Sequence, residues 1–266
     1  MRRTMPAQIP YCGSPPDPGT LMAHWNLDPV LIAVLLVIAG LYGVGSTRAR
    51  LSRGERASFL AGWGITGLAL VSPLCALSVA LFSARVGQHM VISLIGAPLI
   101  ILGRPVLAFG ALIGRQAAGT RRPGPVVAGL VFAMVLWLWH SPAPYAATFA
   151  SDRVYWLMHI TLFGSALMVW QAVLADGRDA LIALGVGIGT SIQMGFLGAI
   201  LTFAGRPLFA DHLLTAPIWG YTPLEDQQLG GVLMWVPGCS IFVMAACLSL
   251  GQLMRSAGPA RNVPAA

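Results

Sequence analysis

The chain has 266 residues, of which 56% are hydrophobic and 9% charged, with a mean hydropathy of +0.75 and a formal net charge of +7. This composition excludes an ordinary soluble domain, and also a nucleic-acid-binding domain, because no soluble basic face is available to carry one. It is the composition of an integral membrane protein, in which about 20 apolar residues make one helical crossing of the hydrocarbon.

Residues 1–24 carry Arg2 and Arg3 but no apolar core ahead of "PYCGSPPDPG", so a cleaved signal peptide is not expected; they are predicted to be a disordered external tail. Apolar stretches then follow near 28–46, 58–82, 88–103, 125–143, 152–175, 180–204 and 229–252. They predict an all-α, seven-transmembrane-helix bundle with its membrane domain at 25–254 and a tail at 255–266. Pro73 and Pro98 interrupt the second and third stretches, which neighbouring helices can accommodate. Cys75, Cys239 and Cys247 lie in or beside apolar spans without CxxC spacing and are read as small buried hydrophobes.

All sixteen basic residues are Arg. The loops on the side of the N-terminus hold Arg2, Arg3, Arg85, Arg153 and Arg206, whereas the other side holds the remaining eleven. The positive-inside rule therefore predicts the N-terminus outside and the C-terminus in the cytoplasm. The surplus charge then reads as a topology signal and an anionic-lipid contact, with the lipid bilayer as partner and no nucleic acid. The segment 104–124 is predicted to be a mobile basic loop.

In this topology all the histidines, His24, His89, His140, His159 and His212, fall on the external side or in the external half. His24 and His212 read as locally hydrogen-bonded interfacial groups. His89, His140 and His159 are set into spans, where ionisable groups are costly and tend to serve function. Imidazole with thioether sulfur suits Cu(I), and Met90 adjoins His89. Two alternatives stay open: Met is also the usual gap-filler of apolar cores, and neighbouring helical positions point about 100° apart, so a His-Met dipeptide is no chelate by itself.

The stretch "YTPLEDQQLGGVLMW" at 221–235 opens the last span. Thr222, Pro223 and Glu225 match a capping box with Pro at the first helical position. Asp226, Gln227 and Gln228 are left over, and Asp226 with Gln228 is expected to order or contact a metal-handling face. Gln193, inside the sixth stretch, is either an interhelical hydrogen-bond partner or part of a polar path. No catalytic signature such as HExxH, GxSxG or a Walker loop occurs, and no enzyme activity is expected.

Several of these stretches together resemble the CtaG family of multi-pass membrane proteins, named for cytochrome c oxidase assembly. They are "HWNLDP", "LVSPLCALSVALFSARVGQHM" running into "GAPLIILGRP", "VLWLWHSPAPYAA", "LGAILTFAGRPLF" and "WGYTPLEDQQLGGVLMWVPG", in order from about 24 to 252. The resemblance implies a protein of the bacterial plasma membrane that assists cytochrome c oxidase subunits, helping copper, bound transiently, to reach an external centre. His89, His140, His159 and Met90 are the candidate ligands, and Asp226, Gln228, Glu225, His212 and Arg85 the supporting polar face. A permease for copper or a small solute, or a metal-free assembly scaffold, are the alternatives. Two positions depart from the family pattern: Arg85 and Tyr155 each stand where a histidine often precedes, by one turn, the histidine kept here as His89 or His159. A guanidinium so near His89 is expected to oppose cation binding by charge repulsion.

Overall fold

In the computed structural model, which describes residues 9–114, 124–174 and 180–256, every regular element is helical. The helices are α1 Pro29–Arg48, α2 Arg53–Val71, α3 Leu74–Ala80, α4 Phe82–Met90, α5 Ala97–Leu102, α6 Pro105–Leu112, α7 Pro125–Trp139, α8 Pro142–Ala150, α9 Asp152–Leu174, α10 Ala180–Thr202 and α11 Pro223–Ser256. Among the described residues five spans are long and apolar enough to cross a membrane, one of them the run Phe82–Leu102; the number rises to seven if the bent pairs α2–α3 (49°) and α7–α8 (70°) each count as one. The predicted mobile loop at 104–124 is corrected over its first part, where Pro105 at the first helical position opens helix α6; residues 115–123, Arg178 and 257–266 lie outside the described residues.

The helix starts follow local sequence. Asp28 accepts the Val30 amide (2.8 Å) ahead of Pro29, and Ser52 with Glu55 forms a capping box for α2. The box read at Thr222 and Glu225 is present: the Glu225 carboxylate accepts the Thr222 amide (2.8 Å) while the Thr222 hydroxyl accepts the Glu225 amide (3.2 Å). The third span begins at Phe82, well before residue 88, because Leu81 is extended (φ −128°, ψ 133°) and breaks the chain between α3 and α4. A π-helical segment, Val91–Gly96, links α4 to α5 just ahead of Pro98. Pro98 has no N–H to give to the preceding turn, which locates the irregularity.

Small residues set the closest helix approaches. A Cβ on Gly198 of α10 would lie 2.8 Å from the Gly231 carbonyl oxygen of α11, and one on Gly230 would meet Phe82 at 2.5 Å, so α11 presses against both α10 and the start of α4. The main apolar cluster runs through α3, α4, α7, α9, α10 and α11. Trp137 donates to the Gln193 side-chain oxygen (3.1 Å), so Gln193 serves as a partner between α7 and α10.

The two ends of the bundle differ. At the lower end, where α1 meets α2, lie Arg48, Arg50, Arg53, Arg56 and Arg104, the last paired with Glu55 at 2.8 Å. The upper end holds residues 9–28, the α3–α4 break, α8 and the segment 203–222. Arg85 belongs to neither surface: at 1% exposure it is inside the bundle and is not one of the loop charges it resembles in sequence.

The predicted disordered tail is corrected over residues 9–24. Cys12 and Cys75 form a disulfide, Tyr11 donates to the Asp28 carboxylate, and Trp219 donates to the Pro16 carbonyl (3.2 Å). Asn26 donates its amide to the Val71 carbonyl (2.9 Å), tying the segment to the end of α2. Cys75 is therefore not a free apolar filler; Cys239 and Cys247 remain unpaired.

Candidate functional site

α4, α7 and α9 converge at the upper end, and each brings one histidine. His89 lies in the second turn of α4, His140 caps the C-terminus of α7 at the 70° bend, and His159 lies in the second turn of α9. The His89 ring centre is 5.9 Å from that of His140 and 5.3 Å from that of His159, in edge-to-face arrangements. All are shielded, at 4–6% exposure.

Hydrogen bonding fixes the state of two of these rings. His140 Nδ1 contacts the Leu136 carbonyl at 2.8 Å and His159 Nδ1 contacts the Tyr155 carbonyl at 3.1 Å. A carbonyl only accepts, so Nδ1 carries the proton in each ring and Nε2 keeps its lone pair. His159 Nε2 and both nitrogens of His89 are buried with no hydrogen-bond partner. Such bare nitrogens are unfavourable unless something binds them, and an Nδ1–H held by a backbone carbonyl is the usual support of a metal-ligating imidazole. Among the described residues no group of three His, Cys, Asp or Glu side chains is already gathered in metal-binding geometry. The residues thus offer the right donors, lone-pair nitrogens with supported tautomers, in a cluster that must tighten to chelate.

The other candidates divide. Met90 is buried in the main apolar cluster, next to His89 in sequence. Arg85, one turn before His89 on α4, donates to the Thr148 hydroxyl (2.6 Å) and the Ser78 carbonyl (3.3 Å), and its guanidinium carbon sits 4.1 Å from the Phe149 ring centre and 5.0 Å from that of Tyr145. Asp226, fully buried, accepts the amides of Phe82 (2.7 Å) and Ser83 (3.0 Å) and the Ser83 hydroxyl. It caps α4 from another helix, so it orders the helix that carries Arg85 and His89. Glu225 stays exposed in its capping box.

The expectation for Gln228 is corrected: it is half-buried with no side-chain hydrogen bond among the described residues, whereas Gln227 accepts from the Leu208 amide (2.6 Å) and donates to the Leu201 carbonyl (3.2 Å). The two differ by one helical position, about 100° of rotation, and only the 227 direction faces α10 and the 203–222 segment.

His212 is not one of the cluster. Its Nδ1–H donates to the Ala80 carbonyl (3.2 Å) and its Nε2 accepts from the Tyr145 hydroxyl (2.6 Å), so both nitrogens are satisfied. Burial pulls its pKa down to about 3 from an ordinary 6.5. The folded state therefore favours the neutral ring: its contribution is complete above pH 6.5 and is lost as pH falls from there towards 3. Between pH 7 and pH 5 the loss is about 2 kcal/mol. Thermal unfolding should show a pH slope in this interval that is shallower in His212→Gln; equal slopes would refute the assignment.

Sequence reasoning missed α8 and the disulfide. Ser141-Pro142 is a helix-start signal, and Tyr145 with Phe149, one turn apart, marks the face that receives Arg85. Tyr155 is the link between the disulfide and the histidines. Its hydroxyl lies 3.2 Å from Cys12 Sγ and its ring centre 4.3 Å from that of His159, while Tyr11 stacks on its other side at 4.9 Å.

Fold and site together define a multi-pass helical membrane protein with a cluster of buried imidazoles at one end of its bundle, roofed by a disulfide-tethered N-terminal segment. The chain matches the model of the cytochrome c oxidase caa3 assembly factor family, Caa3_CtaG, over residues 38–256, and it belongs to that family. No curated protein and no solved structure matches it.

Proposed function

We propose that the chain is a non-enzymatic assembly factor of a bacterial plasma membrane, which holds Cu(I) transiently at His89, His140 and His159 on the outer face for the copper centre of cytochrome c oxidase. The observation that carries this reading is the burial of three neighbouring imidazoles with bare nitrogens on His89 and His159. Copper bound there would supply a soft, exchangeable cation; the protein supplies neutral nitrogen donors and shields them from water. Two features support an outward upper end: the arginines gathered at the lower end, and a disulfide, which belongs to an oxidising compartment. The family supports the oxidase as partner. Gln193 accepts from Trp137 (3.1 Å), which supports the role of an interhelical partner over that of a residue lining a permease path.

The test is a deletion strain complemented with wild type or with the double variant His89→Ala, His159→Ala. The double variant should reach the membrane at normal level yet leave the oxidase without its copper-centre absorbance, with oxidase transcript unchanged. Copper per purified chain should fall in parallel. Normal oxidase copper in that strain would refute the reading. Lost assembly with wild-type protein that never holds copper would select the metal-free scaffold instead.

A further inference from the structure

We propose that Arg85 sets the charge selectivity of the histidine cluster, so that it admits a soft monovalent cation and rejects divalent ones. The inference rests on the proposed metal-binding reading of His89, His140 and His159, and it concerns a residue that need not touch the ion.

Arg85 and His89 are four positions apart on α4, on one face of that helix. The guanidinium is buried and among the described residues forms no ion pair. Its neighbours are neutral: Thr148, the Ser78 carbonyl, and the faces of Phe149 and Tyr145. Nη2 has no partner. The rings of Phe149 and Tyr145 stabilise the cation without cancelling its charge. Asp226, the acidic side chain fully buried at this end, is turned to the amides of Phe82 and Ser83. Asp211, half-buried at the same end, feels this charge but forms no ion pair with it, so Arg85 presents a positive charge without a contact counter-ion in a medium that screens poorly.

The cluster has no means of neutralising a second charge. Imidazole donors are neutral, and among the described residues no Cys, Asp or Glu joins them to make a metal-holding group. An ion entering brings its whole charge into the field of Arg85. Taking, for scale, a separation of about 10 Å and an effective dielectric constant of about 20, Coulomb's law weakens binding roughly tenfold for each unit of ionic charge. A monovalent ion meets that penalty once and a divalent ion twice. A bare set of three histidines would otherwise suit Zn(II) or Cu(II) well, so the guanidinium shifts the preference of its neighbours towards the ion of lower charge.

The experiment titrates purified full-length protein with Ag(I), a redox-inert probe for Cu(I), and with Zn(II), in wild type, Arg85→Gln, Arg85→Lys and His89→Ala. Wild type should bind Ag(I) and bind Zn(II) poorly, and His89→Ala should lose Ag(I). Arg85→Gln should gain roughly tenfold more for Zn(II) than for Ag(I), while Arg85→Lys, which keeps the charge, should retain the wild-type ratio. An unchanged ratio in Arg85→Gln, with Ag(I) still lost in His89→Ala, overturns the role of Arg85 and leaves the histidine site standing. Ag(I) binding indifferent to His89→Ala overturns both. Should Arg85→Gln not fold, tight His89-dependent Zn(II) binding by wild type alone overturns the inference, and its absence beside Ag(I) binding upholds it.

Discussion

Asp226→Ala should destabilise the protein by about 3 kcal/mol, because it strands the buried amides of Phe82 and Ser83 and the Ser83 hydroxyl at once. An N-cap lost from within one helix costs about 1 kcal/mol. Here the donors are buried in the bundle, where water does not replace the carboxylate, so the larger figure applies. The effect should reach function, since α4 carries both Arg85 and His89. Asp226→Asn keeps one acceptor oxygen but turns an amide towards donors, and it should fall between wild type and alanine. Glu225→Ala, in the exposed capping box where water can replace the carboxylate, should cost clearly less than Asp226→Ala. Reversible unfolding in mild detergent, with oxidase assembly scored alongside, checks the series. Equal losses for Asp226→Ala and Glu225→Ala would show that the capping of α4 from α11 is not what Asp226 provides.

Removal of the Cys12–Cys75 disulfide should have the other large effect. The bond closes a separation of 63 residues, and a cross-link of that reach contributes about 2–4 kcal/mol. Cys12→Ser with Cys75→Ser should lower stability by that amount and release residues 9–24 from Tyr155 and Asp28. Limited proteolysis should then cut within "PYCGSPPDPG" while the helices stay whole. Because Tyr11 and Cys12 cover Tyr155, and Tyr155 lies on His159, release of the segment should also expose the histidine cluster of the proposed copper site to solvent. A serine variant with the stability and cleavage pattern of wild type would show that the segment is held by Asn26, Trp219 and Tyr11 without the bond.

Much of the fold is legible in the sequence because it depends on neighbours in the chain. Hydrophobic length identifies a membrane bundle, Ser52 and Thr222 with the glutamates three residues on start their helices, and the arginines gather at the lower end. The third span was harder, since the break at Leu81 and the early start at Phe82 are stabilised by a carboxylate 144 residues away. Gln227 and Gln228 carry the same chemistry, and only the rotation of α11 against α10 separates them.

The sequence by itself determined the class of molecule, most of its helices, the family-specific stretches and the three histidines worth attention. Those features follow from local propensity and from the requirement that a chain in lipid satisfy its own backbone. The tertiary structure alone decided that the three imidazoles lie together, that His212 is already fully bonded, that Arg85 is buried against α8, and that Cys12 meets Cys75. Each of these depends on the crossing of helices far apart in the chain. Where a side chain ends up among its neighbours, and so whether a polar atom is satisfied or left bare, is a property of that packing and has no local signature.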